Sequence, residues 1–188
     1  CGNFKTNINM KTIILILTLM VSITSFGQKL KTNEKDEMSG DIVKRTTSVY
    51  IQASLVTSTS VYVEKINNTT YLRIPFEKAG KTWITSIENQ FSVVKDQLVI
   101  IKLANDSLVK LKIRDNITAT KGGNGKALSG CPGVNITCEI TDDDGRKLLS
   151  SPAIKMRIYM VDPKVDKGYV EFDIEKQTIF NDLLTLVK

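Results

Sequence analysis

Four stretches of this 188-residue chain hold residue types that could do chemistry. The first is KGGNGKALSGCPG, Lys121 to Gly133. A glycine-rich loop cradles phosphate when it reads G-x-x-x-x-G-K-[ST] between a strand and a helix, because bare backbone N–H groups then close around the oxygens. Here Gly125-Lys126 is followed by Ala127, Thr120 stands where the first glycine belongs, and no helical pattern follows. The stretch reads as a flexible loop. The second is Thr141-Asp142-Asp143-Asp144-Gly145. Calcium loops set oxygen ligands at alternate positions with a distant Glu, and neither spacing is present. Thr141 suits the N-cap of a short helix instead, with three aspartates in a first turn that the helix dipole favours. That helix should run to about Leu149 and stop before Pro152.

The third is the cysteine pair, Cys131 and Cys138. In an exported protein such a pair readily oxidises. A strand over Val134–Ile140 opposes the bridge: the five steps from Gly133 to Cys138, at about 3.3 Å each, span about 16 Å. A disulfide needs Cα atoms within about 7 Å. The expectation is a small apolar core residue at Cys138 and a loop thiol at Cys131. The fourth is Trp83, the only tryptophan, in the connection Glu77–Gln90. It is a candidate ligand or partner contact; the plainer reading is a large apolar plug over the core.

The chain has no histidine. That removes Ser-His and Cys-His nucleophile pairs, His-ligated zinc and the commonest general base. The 20 Asp and Glu residues are scattered and no motif pairs two of them. No catalytic, cofactor-binding or metal-ligating residue is assigned, and no cofactor is expected. Lys and Arg number 26, a formal excess of +6, but they are spread along the chain rather than clustered. That is not the footprint of a phosphate backbone, so nucleic acid is not an expected partner.

The elements that would carry these residues are mostly strands. Leu98–Leu103 and Leu108–Ile113 flank Asn105-Asp106, a pair that tolerates positive φ, and form a β-hairpin. The first run is nearly all apolar and should lie centrally, covered on both faces; the second alternates with Lys110 and Lys112 and has one wet face. TTSVYIQ and STSVYVE recur twelve residues apart, Thr46–Gln52 and Ser58–Glu64, and suit two similar half-buried strands. TTYLRIPF, Thr69–Phe76, is another, expected to end at Pro75 or lie at an edge because proline cannot donate to a ladder. Val134–Ile140, Ile154–Val161 and Tyr169–Ile174 alternate in the same way. Then the period changes: Ile179, Phe180, Leu183, Leu184 and Val187 mark an amphipathic helix over Lys176–Val187 that must cover the sheet.

Ahead of these lies a leader. Met10-Lys11 precedes an apolar run from Ile13 to about Ile23, then Ser25-Phe26-Gly27. This is the layout of a secretory signal peptide, residues 10–27, cleaved after Gly27. The run is about half the ~20 residues needed to span a bilayer, so no stable span is expected in the mature chain. Residues 1–9 read as upstream or fragment sequence, 28–41 as a flexible polar leader, and 42–188 as one β-rich domain.

The Ser-Phe-Gly-Gln leader end, DEMSGDIVKRT, TYLRIPF, FSVVKDQLVIIKLANDSLVKLKI and the closing strand–strand–helix together resemble small exported proteins of unknown function from Bacteroidota-type bacteria. The resemblance implies export and a β-rich fold, and it carries no catalytic residue. The expected architecture is mainly β (a β-rich α+β fold): an antiparallel meander of about eight strands curled into a sandwich or partial barrel, with one short helix and a closing C-terminal helix. The expected function is that of an exported, non-catalytic binding or structural protein of the envelope (periplasmic, outer-membrane-associated or secreted), with an envelope or extracellular partner. A carboxylate-dependent secreted hydrolase is the alternative.

Overall fold

Asn105 and Asp106 turn the chain between the two strands of the hairpin. Asp106 takes a left-handed φ of 62°, and the Asn105 side-chain oxygen accepts from the Ser107 N–H at 3.2 Å. This is the chemistry that closes a three-residue hairpin loop with one left-handed residue. The computed structural model describes residues 28–53, 57–78, 91–119, 132–162 and 167–188. The leader at 10–27, Trp83, the glycine-rich loop and Cys131 lie outside the described residues.

Those residues form twelve strands and two helices. The strands are β1 Leu30–Lys35, β2 Ile42–Thr46, β3 Val49–Ala53, β4 Thr57–Ile66, β5 Thr69–Lys78, β6 Ser92–Val93, β7 Leu98–Leu103, β8 Leu108–Lys112, β9 Ile117–Thr118, β10 Gly133–Ile140, β11 Ala153–Tyr159 and β12 Tyr169–Asp173. The helices are α1, Asp142–Ser150, and α2, Ile179–Val187. The fold is mainly antiparallel β and sandwich-like, without a closed barrel. One sheet has the order β1-β2-β4-β5-β10 with β3 also on β4; the other runs β12-β11-β7-β8; β6 and β9 form a small third pair. Strand order departs from a plain meander because β10 returns beside β5 and β11 inserts beside β7. Buried side chains from both larger sheets and both helices make one core.

Several elements match the local reading. The Thr-Val-Tyr segments pair with each other: Val49 lies opposite Val61 and Tyr50 opposite Ser60. Val134, Ile136, Cys138 and Ile140 all point into the core. Thr141 caps α1 in a reciprocal box, its hydroxyl accepting from the Asp144 N–H while Asp144 returns to the Thr141 backbone. The apolar stripe of α2 is buried from Ile179 to Val187.

Other expectations are corrected. The polar stretch 28–41 is not a free lead-in, since β1 pairs antiparallel with β2 through five registered positions. Its side chains are mostly exposed. The backbone ladder holds it, and its charges suit an edge strand. Pro75 neither ends β5 nor lies at an edge. β5 continues to Lys78 between β4 and β10. The β4–β5 ladder lapses between Phe76 and Arg73, so the missing N–H falls where no bond is made. β7 is central, as its composition suggests, but not covered on both faces: Val99, Ile101 and Leu103 are buried while Leu98, Ile100 and Lys102 are half-exposed. The strand count exceeds eight because single runs split. Between β2 and β3 the chain bulges, and Thr46 turns its hydroxyl inward to accept the Val63 N–H at 3.0 Å.

Candidate functional site

The inner face of the six-stranded sheet changes character one row from its end. The row Val63–Leu72–Cys138 is apolar and buried. Two residues on, the same face reads Lys44–Lys65–Thr70–Ile140 across β2, β4, β5 and β10. Strand alternation puts these side chains on the core side, and α2, packed on β2 and β4, leaves the space over Lys65 unfilled. The last turn of α2 and the first turns of α1 instead wall a cleft of about 290 Å³. Its apolar surface comes from Ile140, Leu149, Leu184 and Val187, and its polar rim from Lys65, Arg146, Lys188 and Asp142.

The charge around this cleft is unbalanced. Lys65 lines the cleft, and Lys44, outside the lining, stands directly opposite it in register, an arrangement that costs stability when no acid separates the pair. Among the described residues neither makes an ion pair, nor does Lys188. Arg146 touches Asp143 at 3.4 Å, but Asp143 is held more closely by Lys147 at 2.5 Å. Among the described residues Asp142 is the single carboxylate side chain in the lining.

Gly145 is the second anomaly. It is the fourth residue of a nine-residue helix, where glycine costs about 1 kcal/mol relative to alanine. No positive φ requires it, and a Cβ there would meet nothing nearer than Ile140 Cγ2 at 3.8 Å. Neither a turn nor a close approach explains the residue. A side chain longer than methyl at this position would enter the cleft that Gly145 lines.

Two other buried groups, Glu64 and Cys138, are structural. Burial would raise the Glu64 carboxyl, but hydrogen bonds from Arg45 and Arg73 outweigh it and hold the group below the usual carboxylate range. Arg73 also donates to Thr137 Oγ1 at 2.5 Å. A carboxylate so engaged has no lone pair to spare for proton transfer. Cys138 is a free thiol with no exposed surface; burial pushes it up to about 12, so it stays protonated and inert. Among the described residues no two carboxylate side chains converge on the cleft. Among the described residues no cluster of three or more Cys, Asp or Glu is placed to hold a metal ion.

Trp83, the one contact residue singled out by composition, lies outside the described residues. Lys44 and Lys65 escape sequence reasoning because strand pairing, not spacing, brings them together. Gly145 carries a visible signal, a glycine inside a helical pattern, which the aspartate run beside it obscures. No family model, curated protein or solved structure matches this chain.

Proposed function

We propose that this chain is an exported, non-catalytic binding protein of the envelope or extracellular space, and that it binds through the cleft between α1, α2 and the Lys65–Thr70–Ile140 row. The carrying observation is the cleft itself: a concavity with an apolar floor, a cationic rim and one carboxylate in its lining. Apolar surface with a few convergent polar groups is what small-molecule sites are made of. Acid–base hydrolysis by a carboxylate pair needs two such groups flanking the bond, and Asp142 has no partner there. Export rests on the leader pattern at Met10–Gly27. Among the described residues no helix is long and apolar enough to cross a membrane.

The test has two arms. Fractionation and mass spectrometry of cells expressing the full chain should find a mature protein beginning at Gln28 outside the cytoplasm; retention of Lys11–Gly27 on a cytoplasmic protein refutes export. Assay of the purified protein on chromogenic esters and glycosides should give no turnover. Turnover lost on Asp142→Asn would establish the hydrolase instead.

A further inference from the structure

We propose that the cleft takes one small amphiphilic anion, a carboxylate on an apolar chain, free in solution rather than embedded in a bilayer. This rests on the binding-protein reading and names its ligand class. Three independent features converge on it. Lys65, Arg146 and Lys188 put three cationic side chains in the lining, and Lys44, outside the lining, stands in direct register with Lys65 and adds a like charge beside it. An anion seated against Lys65 relieves this repulsion, whereas a neutral or cationic ligand does not. The floor beside them is apolar: Ile140, Leu184 and Val187. Gly145 keeps the space open although its backbone would accept a side chain.

Helix α2 offers a rival explanation for the lysines, since its C-terminal end carries about half an elementary negative charge. That fraction and Asp142 together do not balance the three cationic side chains of the lining, Lys65, Arg146 and Lys188, with Lys44 beside them. Size decides between a free molecule and a bilayer. At about 290 Å³ the cleft lies at the small end of ligand sites, large enough for one short chain. Membrane docking needs apolar side chains that protrude. Here Ile140, Leu184 and Val187 are recessed, each no more than 6% exposed.

Calorimetric titration of the purified protein with octanoate, 1-octanol and octylammonium tests this. The three share a chain and differ in head charge. Octanoate should bind with one-to-one stoichiometry, about tenfold or more tightly than octanol, as charge-assisted contacts allow. Octylammonium should bind more weakly than either. The double variant Lys44→Gln, Lys65→Gln should lose that preference, octanoate then binding no more tightly than octanol. Gly145→Leu should abolish octanoate binding and raise the melting midpoint, because leucine favours the helix and fills the space.

Octanol binding as tightly as octanoate overturns the anionic class and leaves the binding cleft standing. Octanoate affinity that survives both the Gly145→Leu and the lysine variants puts the ligand elsewhere and overturns the site. Absence of binding by all three probes overturns the proposal, and the turnover and fractionation assays then judge the broader reading separately. Co-sedimentation with phosphatidylglycerol vesicles that is unaffected by Gly145→Leu, without octanoate binding, overturns the free-ligand source. Should Gly145→Leu fail to fold, the lysine double variant carries the test alone.

Discussion

Arg73 grips Glu64 across the β4–β5 pair: the Glu64 Oε2 accepts from Arg73 Nε at 2.9 Å and from Nη2 at 2.6 Å. Arg45 takes the other carboxylate oxygen, so one nearly buried acid ties three strand positions together. Removing it leaves two guanidinium groups facing each other. Glu64→Ala should cost about 3 kcal/mol in urea unfolding, as for other buried pairs that lose one partner. Arg45→Ala should cost about 1 kcal/mol or less, because that side chain is 40% exposed and screened by solvent.

The same carboxyl gives a pH dependence. Its folded value lies below the unfolded value of 4.5, so the unfolded chain binds the proton more readily. Its contribution is therefore complete above about pH 4.5 and is lost as pH falls through the lower folded value. The stability gap between the wild type and Glu64→Gln should be flat from pH 7 to pH 5 and close below 4.5. A gap that widens on acidification would contradict the ion pair.

Thr46 replaces a missing ladder bond at the β2–β3 bulge by accepting the Val63 N–H. Thr46→Val keeps the shape and removes the acceptor, leaving a buried donor unsatisfied. The expected loss is about 1–3 kcal/mol, and hydrogen exchange at the Val63 amide should accelerate. An unchanged exchange rate would mean that the hydroxyl carries no load.

Helix α2 covers the inner sheet with Ile179, Phe180, Leu183, Leu184 and Val187. Phe180→Ala should cost about 3–5 kcal/mol. Deleting 179–188 removes five buried side chains worth about 1.5–3 kcal/mol each, a loss comparable to the whole ~5–15 kcal/mol margin of a domain. The truncated chain should show no cooperative thermal transition. A soluble truncation with an unchanged midpoint would show that α2 is dispensable.

Cys138 sits between Leu72 on β5 and an isolated bridge to Ile113. With the thiol buried and raised to about 12, a thiol reagent should reach it only through unfolding. Labelling of Cys138 in a Cys131→Ser background should follow the global unfolding rate, and should be fast in denaturant. Rapid labelling of the native protein would place Cys138 at the surface.

Local pattern is enough for much of this architecture. Asn105-Asp106 specifies a hairpin because the turn needs a residue that tolerates positive φ. Thr141 and Asp144 specify where α1 begins because a capping box is a four-residue affair. The spacing of Ile179, Phe180, Leu183, Leu184 and Val187 announces α2. Each of these is decided by neighbours within one or two turns of chain.

What depends on register is invisible at that range. Pro75 can sit inside the sheet only because the β4–β5 ladder lapses beside it. The charged stretch 30–35 becomes a strand only because β2 offers it a backbone edge. Lys44 and Lys65 are 21 positions apart in the chain, and only the β2–β4 pairing sets them face to face. The cleft follows from where α1 begins and α2 ends relative to that row. Tertiary packing alone creates it, because a concave site needs walls from elements that local sequence positions independently of one another.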